Sequence, residues 1–195
     1  ISGNAGILMN DTGHLAEERK KQVCQDIYDD SMWLINLVEN LLSITRMEGG
    51  TMQLNMEGEL LEEVIGEAMR HISRKASEHT LSVTQEGDFL LARMDSRLII
   101  QVIINLVNNA VSYTPADGRI VVSARRVVEH DRPRVRIAVA DEGPGISEED
   151  RKHIFDMFYN GSTGRRGGKS GDFKRGMGLG LSLCRSIVEV HGGTL

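Results

Sequence analysis

The sequence contains few of the residues that build disulfide frameworks, metal sites or membrane spans. Cys24 and Cys184 are the two cysteines among 195 residues, and no CxxC motif pairs them. We interpret them as reduced structural thiols of a cytoplasmic protein. The six histidines show no HExxH or paired-ligand spacing, which argues against a zinc site. No apolar run approaches the roughly 20 residues of a membrane span, and no signal peptide is visible.

The chain also lacks an excess of positive charge. Its formal net charge is -5 and only 4% of its residues are aromatic, so we expect no nucleic-acid partner. With 40% hydrophobic and 26% charged residues, the composition is that of a soluble globular protein. Both ends look cut: Ile1 lies in what reads as a helix, and the final HGGTL reads as a turn that enters a strand.

A long helix is predicted from about Glu17 to Met47, after a short helix and turn in residues 1–13. Apolar residues recur every seven positions in adjacent rows and form a stripe too wide for a lone surface helix. The rows are Ile27, Leu34 and Leu41; Tyr28, Ile35 and Leu42; and Ser31, Val38 and Thr45. The helix either packs on its own domain or is half of a helical hairpin that dimerises into a four-helix bundle. We favour the bundle, because Gly49 and Gly50 separate the helix from the rest of the chain.

Residues 50–195 read as a second region of mixed helix and strand. Predicted strands are Met52–Met56, Leu81–Gln85, Phe89–Met94, Arg119–Val128 and Arg134–Ala140, the last two joined by a turn at HDRP. Predicted helices are Leu60–Ser77, Ser96–Tyr113, Glu148–Phe155 and Leu179–His191. This order predicts an α+β domain with helices layered on one face of a mixed sheet.

Two glycine-rich motifs could contact a ligand. DEGPGI, Asp141 to Ile146, follows an apolar strand, so its carboxylate can accept a hydrogen bond from a ligand amine while the glycines allow close approach. The same letters are also ordinary turn chemistry. GMGLGL, Gly176 to Leu181, opens the last helix, where backbone N–H groups suit phosphate, although a flexible helix start would look the same. It is neither a Rossmann fingerprint nor a P-loop.

Asparagines and cations complete the set of candidate ligand contacts. Asn105 and Asn109 lie four residues apart and share one face of an otherwise apolar helix, where an amide oxygen could bind Mg²⁺. Asn108 could simply face solvent. The Gly-, Arg- and Lys-rich loop from Asn160 to Gly176 is either a solvated disordered loop or a mobile lid whose cations meet a polyphosphate, and both can hold.

The order of these segments resembles the ATP-binding domain shared by sensor histidine kinases, type II topoisomerases, Hsp90-type chaperones and MutL-type repair proteins. Asn105–Ala110 matches the N box of that family, Asp141–Ile146 its G1 box, Phe155–Phe158 its F box and Gly176–Leu181 its G2 box. The resemblance covers about residues 50–195 and implies a Bergerat-type fold, a two-layer α/β sandwich. The chaperones and topoisomerases carry a glutamate where Asn105 stands. Because an amide cannot act as a general base, the chain looks like a kinase rather than an ATPase.

The resemblance implies that ATP and Mg²⁺ are the cofactors. Asp141 would bind the adenine amine, Asn109 the Mg²⁺ ion, and Asn105 a phosphate or metal-bound water. The implied nucleotide-binding set is Asn105, Asn109, Tyr113, Asp141, Gly143, Gly145, Ile146, Phe155, Phe158, Arg175, Gly176, Gly178, Leu179 and Gly180. Further candidate phosphate contacts in the lid are Arg165, Arg166, Lys169 and Lys174. Ser112 stands where these kinases commonly have a phosphate-facing lysine, so the lid supplies that cation or affinity is reduced.

The N-terminal part agrees with a kinase. Leu34–Gly50 resembles the end of the second dimerisation helix of histidine kinases, and Asp26–Leu42 is similar to the kinases that control potassium uptake. We therefore expect residues 1–49 to be a partial dimerisation hairpin and residues 50–195 a catalytic domain whose C-terminal strand is truncated. No histidine here has the family's phosphoacceptor context, so we expect the chain to bind ATP without labelling itself and to contain no catalytic residue.

The implied partners are a response regulator and a second copy of the chain, in the cytoplasmic portion of a membrane-anchored sensor. The alternatives are a non-catalytic nucleotide-binding dimerisation module and an ATPase with a moving clamp.

Overall fold

The computed structural model describes residues 1–11, 15–50, 52–87, 89–129, 131–161 and 178–195. They form two compact units, Ile1–Thr45 and Arg46–Leu195. Within the described residues, no helix combines the length and apolar character that crossing a membrane requires.

The first unit consists of α1 (Ser2–Met9) and most of α2 (Glu17–Glu48). The N-terminal amine of Ile1 pairs with Asp30 at 2.9 Å, and Lys20 pairs with Asp11 at 3.2 Å. These contacts join the first helix to the second. The apolar stripe of α2 is exposed, with Ile35 49% accessible to solvent. Such exposure is what the bundle interpretation predicts for one copy of the chain.

The second unit contains five strands and four α-helices among its described residues. In chain order they are β1 (Glu57–Leu60), α3 (Leu61–Arg70), β2 (Thr80–Glu86), β3 (Leu91–Met94), α4 (Ser96–Tyr113), β4 (Arg119–Glu129), β5 (Arg132–Asp141), α5 (Glu148–Arg151) and α6 (Gly180–Val190). A 3₁₀ helix, Arg74–Glu78, lies between α3 and β2.

The strands form two sheets rather than one. β1 pairs with β3 antiparallel, while β2, β4 and β5 form a mixed sheet in which β2–β4 is parallel and β4–β5 antiparallel. Alternate β4 residues Ile120, Val122 and Ala124 are almost completely buried, so one face of the three-stranded sheet is covered. Contacts of α4 with β4 and β5 show that a helix lies on the sheet, and α4 also packs against α3 and α6. The predicted mixed sheet with helices on one face is therefore confirmed.

The predicted strand Met52–Met56 is wrong, because the strand lies at Glu57–Leu60. It pairs only with the four residues of β3, in register from Glu57 opposite Met94 to Leu60 opposite Leu91. Beyond that register, β3 gives way to Asp95, whose carboxylate accepts the backbone N–H of Asn55 at 3.1 Å. A side chain thus takes the hydrogen bond that a longer partner strand would have taken.

The predicted helix Leu60–Ser77 is too long, because α3 ends at Arg70. The Ser73 hydroxyl accepts the N–H of Lys75 at 3.3 Å and starts the 3₁₀ helix, and the Ser73 N–H donates to Asn108 Oδ1 at 3.2 Å. A serine that bonds the backbone locally competes with helix continuation. Asn108 therefore anchors this connection, which sequence reasoning did not anticipate.

The predicted limits of the β4–β5 turn and of α5 are also wrong. Strand β4 extends to Glu129 and β5 begins at Arg132, so Glu129 pairs with Arg132 and Pro133 lies within β5 opposite Val128. Proline is tolerated there, since β5 pairs with one strand among the described residues. Helix α5 stops at Arg151 rather than Phe155, and turns come after it.

Candidate functional site

Two contacts fix how α4 lies against α6. The backbone N–H of Asp95 donates to His191 Nε2 at 3.0 Å, and the Cys184 thiol lies 3.8 Å from the carbonyl oxygen of Val102. Asp95 thus faces His191, and Val102, seven residues later on α4, faces Cys184, seven residues earlier on α6. The two helices run antiparallel in a fixed register.

This register directs the asparagine face of α4 toward the start of α6. One more step of seven along α4 reaches Asn109, and Asn105 lies one turn away on the same face. Helix α6 begins at Gly180, and Asn105 lies beside Cys184, about one turn into that helix. Both asparagines are half-buried. The structure therefore brings Asn105 to the first turns of α6.

Asn105 carries a buried donor that the described residues leave without a hydrogen-bond acceptor, its Nδ2. The amide of Asn105 lies beside the Cys184 thiol. Burial of that thiol raises its pKa to about 12, and this effect outweighs the hydrogen bond from Asn105, which lowers the pKa. Since the neutral thiol is a poor acceptor, the amide remains unsatisfied at neutral pH. An unsatisfied buried donor costs about 1–3 kcal/mol. A ligand oxygen would remove that cost if the amide turned from Cys184 toward it.

The G1 turn closes on the carboxyl end of α4. Asp141 ends β5, and its Oδ1 accepts the N–H of Gly143 at 2.8 Å. A Cβ on Gly143 would lie 2.6 Å from that oxygen and 3.1 Å from the carbonyl oxygen of Tyr113, so only glycine fits. Gly145 has φ +73°, a conformation that glycine adopts without strain. The structure therefore brings Asp141 and Gly143 to Tyr113.

Glu142 fixes the other side of the same turn. Its Oε2 accepts the backbone N–H of Arg119 at 3.0 Å, and its Oε1 accepts the Arg119 guanidinium at 2.9 Å. The backbone bond makes the larger contribution and the guanidinium bond adds to it, so the pKa of Glu142 lies below its ordinary value. The carboxylate therefore stays charged and ties the turn to the start of β4.

The F box lies against the described beginning of the G2 box. The N–H of Phe158 donates to the carbonyl oxygen of Gly178 at 2.9 Å. Gly178 has φ +62°, and a Cβ there would lie 2.5 Å from the carbonyl carbon of Phe158. Phe155 lies under the guanidinium of Arg185 on α6, 5.6 Å from ring centre to Cζ. Both phenylalanines of the F box are therefore close to α6 and its start.

The sequence profile of histidine kinase-, DNA gyrase B- and HSP90-like ATPases matches residues 94–195, more than half of the chain. The chain belongs to this ATPase family. The sensor protein KdpD of Clostridium acetobutylicum is 38% identical over 195 residues, all of this chain and 21% of that protein. KdpD of Escherichia coli is 34% identical, over all of this chain and 20% of that protein. The chain thus spans about a fifth of the length of these relatives.

Solved structures place the chain within the histidine-kinase branch of the ATPase family. The catalytic domain of histidine kinase ThkA has a TM-score of 0.57 at 29% identity, covering 70% of this chain and 81% of that one. ThkA in complex with response regulator protein TrrA has a TM-score of 0.70 at 26% identity, covering 98% of this chain and 51% of that one. The predicted fold and family are confirmed: the chain carries the ATP-binding catalytic domain of a histidine kinase.

The other predicted nucleotide-binding residues differ in exposure, and several lie outside the described residues. Tyr113 and Ile146 are about half exposed, at 53% and 49%. The Leu179 side chain is completely buried, so only its backbone could face a ligand. Outside the described residues lie Arg165, Arg166, Lys169, Lys174, Arg175 and Gly176.

A buried cluster around α5 was missed from the sequence. Asp150 is only 6% exposed and accepts hydrogen bonds from the Tyr159 hydroxyl at 2.7 Å and the Ser147 hydroxyl at 2.8 Å. Ser147 also caps α5 by accepting the N–H of Asp150 at 3.0 Å. The S-x-x-D spacing was a readable capping signal. The partnership with Tyr159 depends on tertiary folding and had no signal in the sequence.

Proposed function

We propose that the chain binds ATP with Mg²⁺ between α4 and the start of α6, and that it transfers the γ-phosphate to a histidine. The antiparallel α4–α6 register supports this proposal, because the asparagine face of α4 runs toward the start of α6 and Asn105 lies beside Cys184. The G1 turn closes on the carboxyl end of the same helix. One cleft would thus present a base-binding carboxylate, two amides and a helix start.

Each described residue has a role that its position supports. Asp141 would accept the adenine amine, and Gly143 would let the base approach the turn. Asn109 would offer its amide oxygen to Mg²⁺, which neutralises phosphate charge when bound. The buried Nδ2 of Asn105 has the character expected of a donor to a phosphate or metal-bound water oxygen.

The absence of a carboxylate at position 105 favours phosphoryl transfer over hydrolysis. The N-terminal neighbours of Asn109 on its face of α4 are Asn105 and Leu106, neither of which can take a proton from water. The ATPase alternative therefore lacks a base at the position where the resemblance expects one.

Nucleotide titration by calorimetry tests the proposal. Wild-type protein should bind ADP and ATP more tightly with Mg²⁺ than without it. Asn109→Ala should lose that Mg²⁺-dependent gain, a loss of about tenfold or more in affinity. Asn108→Ala is the matched control, because Asn108 contacts Ser73 instead, and it should keep the gain. Equal Mg²⁺ dependence in all three proteins would refute the role of Asn109.

The phosphoacceptor histidine and the response regulator are also parts of the proposal. No histidine of this chain has the phosphoacceptor context of the family, which supports an acceptor outside it. ThkA, a structural relative, has been solved in complex with response regulator protein TrrA. Incubation with ATP labelled at the γ-phosphate should leave no acid-labile label on the chain. Acid-labile label on one of its own histidines would contradict this expectation.

The KdpD relatives support a narrower proposal, that the whole protein is the sensor of a potassium-uptake system. The identity extends over the whole chain, including the first unit. We propose that this unit is part of a dimerisation hairpin, and that the whole protein is a membrane-anchored sensor with this portion in the cytoplasm.

We also propose where the expected C-terminal strand of the catalytic domain would lie. An open groove of about 880 Å³ runs between β3 and β5, and Leu195 is among its lining residues. Each of these strands pairs with one neighbour among the described residues. The groove floor is apolar, with Met94, Ile103 and Val188, so a strand continuing from Leu195 would bury it.

A further inference from the structure

His191 connects the far ends of the two helices that form the candidate nucleotide cleft. It follows α6 directly, and its Nδ1 lies 2.7 Å from the carbonyl oxygen of Ile187. Its Nε2 lies 3.0 Å from the backbone nitrogen of Asp95, which begins α4. The imidazole is half-buried. One side chain therefore joins the end of α6 to the beginning of α4.

The two partners determine which nitrogen carries the proton. A carbonyl oxygen only accepts, so Nδ1 must donate to Ile187. A backbone N–H only donates, so Nε2 must accept from Asp95. Both bonds form together only in the neutral Nδ1–H form of the ring. A proton on Nε2 would set two N–H groups against each other and break the bond between the helices.

The bond from Asp95 matters because it is one of two side-chain hydrogen bonds described between α4 and α6, whose buried apolar faces also pack together. Asp95 is 3% exposed, and its carboxylate already accepts the N–H of Asn55. The other contact, between Cys184 and Val102, involves a weak thiol donor at 3.8 Å. The stronger of the two contacts is therefore the one that protonation of His191 would remove.

We propose that neutral His191 is a positioning residue for nucleotide binding, which holds Asn105 and Asn109 opposite the start of α6 and releases them on protonation. This inference rests on the proposed function. Because protonation of the ring would break the bond from Asp95, nucleotide affinity should fall in acid relative to a variant that cannot be protonated at position 191.

Charged groups around the imidazole come from several elements. Asp95 and Arg97 lie at the start of α4, with Arg97 Nε 3.7 Å from the Asp95 carboxylate. Arg134 of β5 donates to the carbonyl oxygen of Gly192 at 2.6 Å. Further charged residues line the same groove or lie on α6: Arg93, Arg126, Glu129, Arg136, Arg185 and Glu189. These groups are common to the wild type and to variants at position 191, so their titration cancels in a comparison.

Two substitutions separate the two hydrogen bonds of His191. His191→Gln places an amide oxygen near the Nε2 position, so it can accept from Asp95 and does not titrate. His191→Asn places its amide near the Nδ1 position, so it keeps the Ile187 contact and loses Asp95. The affinity for ADP is measured by calorimetry in wild type and both variants at pH 7.5 and pH 5.5.

The expected result is a crossed pattern. At pH 7.5 the Gln variant should bind like wild type, and the Asn variant about three- to tenfold more weakly. At pH 5.5 wild type should have lost affinity relative to the Gln variant by a similar factor. Parallel pH profiles of wild type and Gln variant, or wild-type affinity in the Asn variant, would overturn the inference alone. Failure of wild type to bind ADP at either pH would overturn the proposed function and this inference with it.

A second measurement remains decisive even if the Asn variant does not fold. Long-range ¹H–¹⁵N spectra of wild type at pH 7.5 report which imidazole nitrogen is protonated. His191 should be in the Nδ1–H form, and the Nε2–H form would overturn the inference.

Discussion

At the scale of single residues, the candidate site depends on positions where a side chain atom would not fit. Gly143 has Asp141 on one side and the end of α4 on the other, and Gly178 has the backbone of the F box within 2.5 Å of where its Cβ would lie. Such glycines allow segments distant in sequence to come within contact of each other. The G1 and G2 motifs were recognised from the sequence, but which residues each glycine contacts depends on the fold.

The Gly143→Ala substitution tests this close approach. The new methyl group would meet Asp141 Oδ1 at 2.6 Å, so the carboxylate must move from its position in the G1 turn. We expect ADP affinity to fall by about tenfold or more, as measured by calorimetry.

Gly66→Ala is the matched control for that substitution. Gly66 lies within α3, and a Cβ there meets nothing within 4 Å. The variant should bind ADP normally and gain about 1 kcal/mol of stability from higher helix propensity. Equal ADP affinity of Gly143→Ala and wild type would show that the turn does not contact the nucleotide.

At the scale of elements, the errors lie at β1, α3 and α5, while the other strands and the long helices match their predicted limits to within two residues. The limits of α4 were correct because six apolar positions with helical spacing are buried along it, and the segment has a strong local signal. β1 was misplaced because its partner is 31 residues away, since Leu60 pairs with Leu91, and no local pattern fixes that register. α3 was predicted too long because Ser73 finds a partner in Asn108, a tertiary contact.

The sequence predicted which residues would belong to the candidate site, but it did not predict how the fold arranges them. The boxes identified Asn105, Asn109 and Asp141 by residue type and order. The antiparallel register of α4 and α6, however, is marked by contacts of Cys184 and His191. The sequence analysis treated them only as a structural thiol and as one of six histidines without metal-site spacing. Contacts between segments so distant in sequence leave no periodic pattern of residues from which they could be predicted.

The exposed stripe of α2 carries a prediction at the same scale. Seven large apolar residues of the helix are 39–61% exposed: Tyr28, Met32, Leu34, Ile35, Val38, Leu41 and Leu42. If the first unit forms half of a bundle, the chain should dimerise in analytical ultracentrifugation, because burial of each such side chain contributes about 1.5–3 kcal/mol.

Replacement of two stripe residues provides the control. Ile35→Glu with Leu42→Glu should yield a monomer of unchanged helicity, while Gln25→Glu, a polar change on α2, should dimerise like wild type. A wild-type monomer at all accessible concentrations would contradict the bundle interpretation.

At the scale of the whole molecule, nucleotide binding is proposed for the second unit alone. The family profile matches residues 94–195, and every described residue of the candidate site lies between positions 105 and 180. On this proposal the first unit would contribute association rather than ligand contacts. Nucleotide should accordingly perturb the second unit and leave the amide signals of the first unit in place.

The most direct test is an NMR titration of the ¹⁵N-labelled protein with a non-hydrolysable ATP analogue and Mg²⁺. The side-chain amide signals of Asn105 and Asn109 and the backbone amides of Gly143, Gly178 and Gly180 should shift together with one dissociation constant, while the side chain of Asn108 stays in place. Shifts confined to Asn108 or to the groove between β3 and β5, with the Asn109 amide unmoved, would contradict nucleotide binding between α4 and α6.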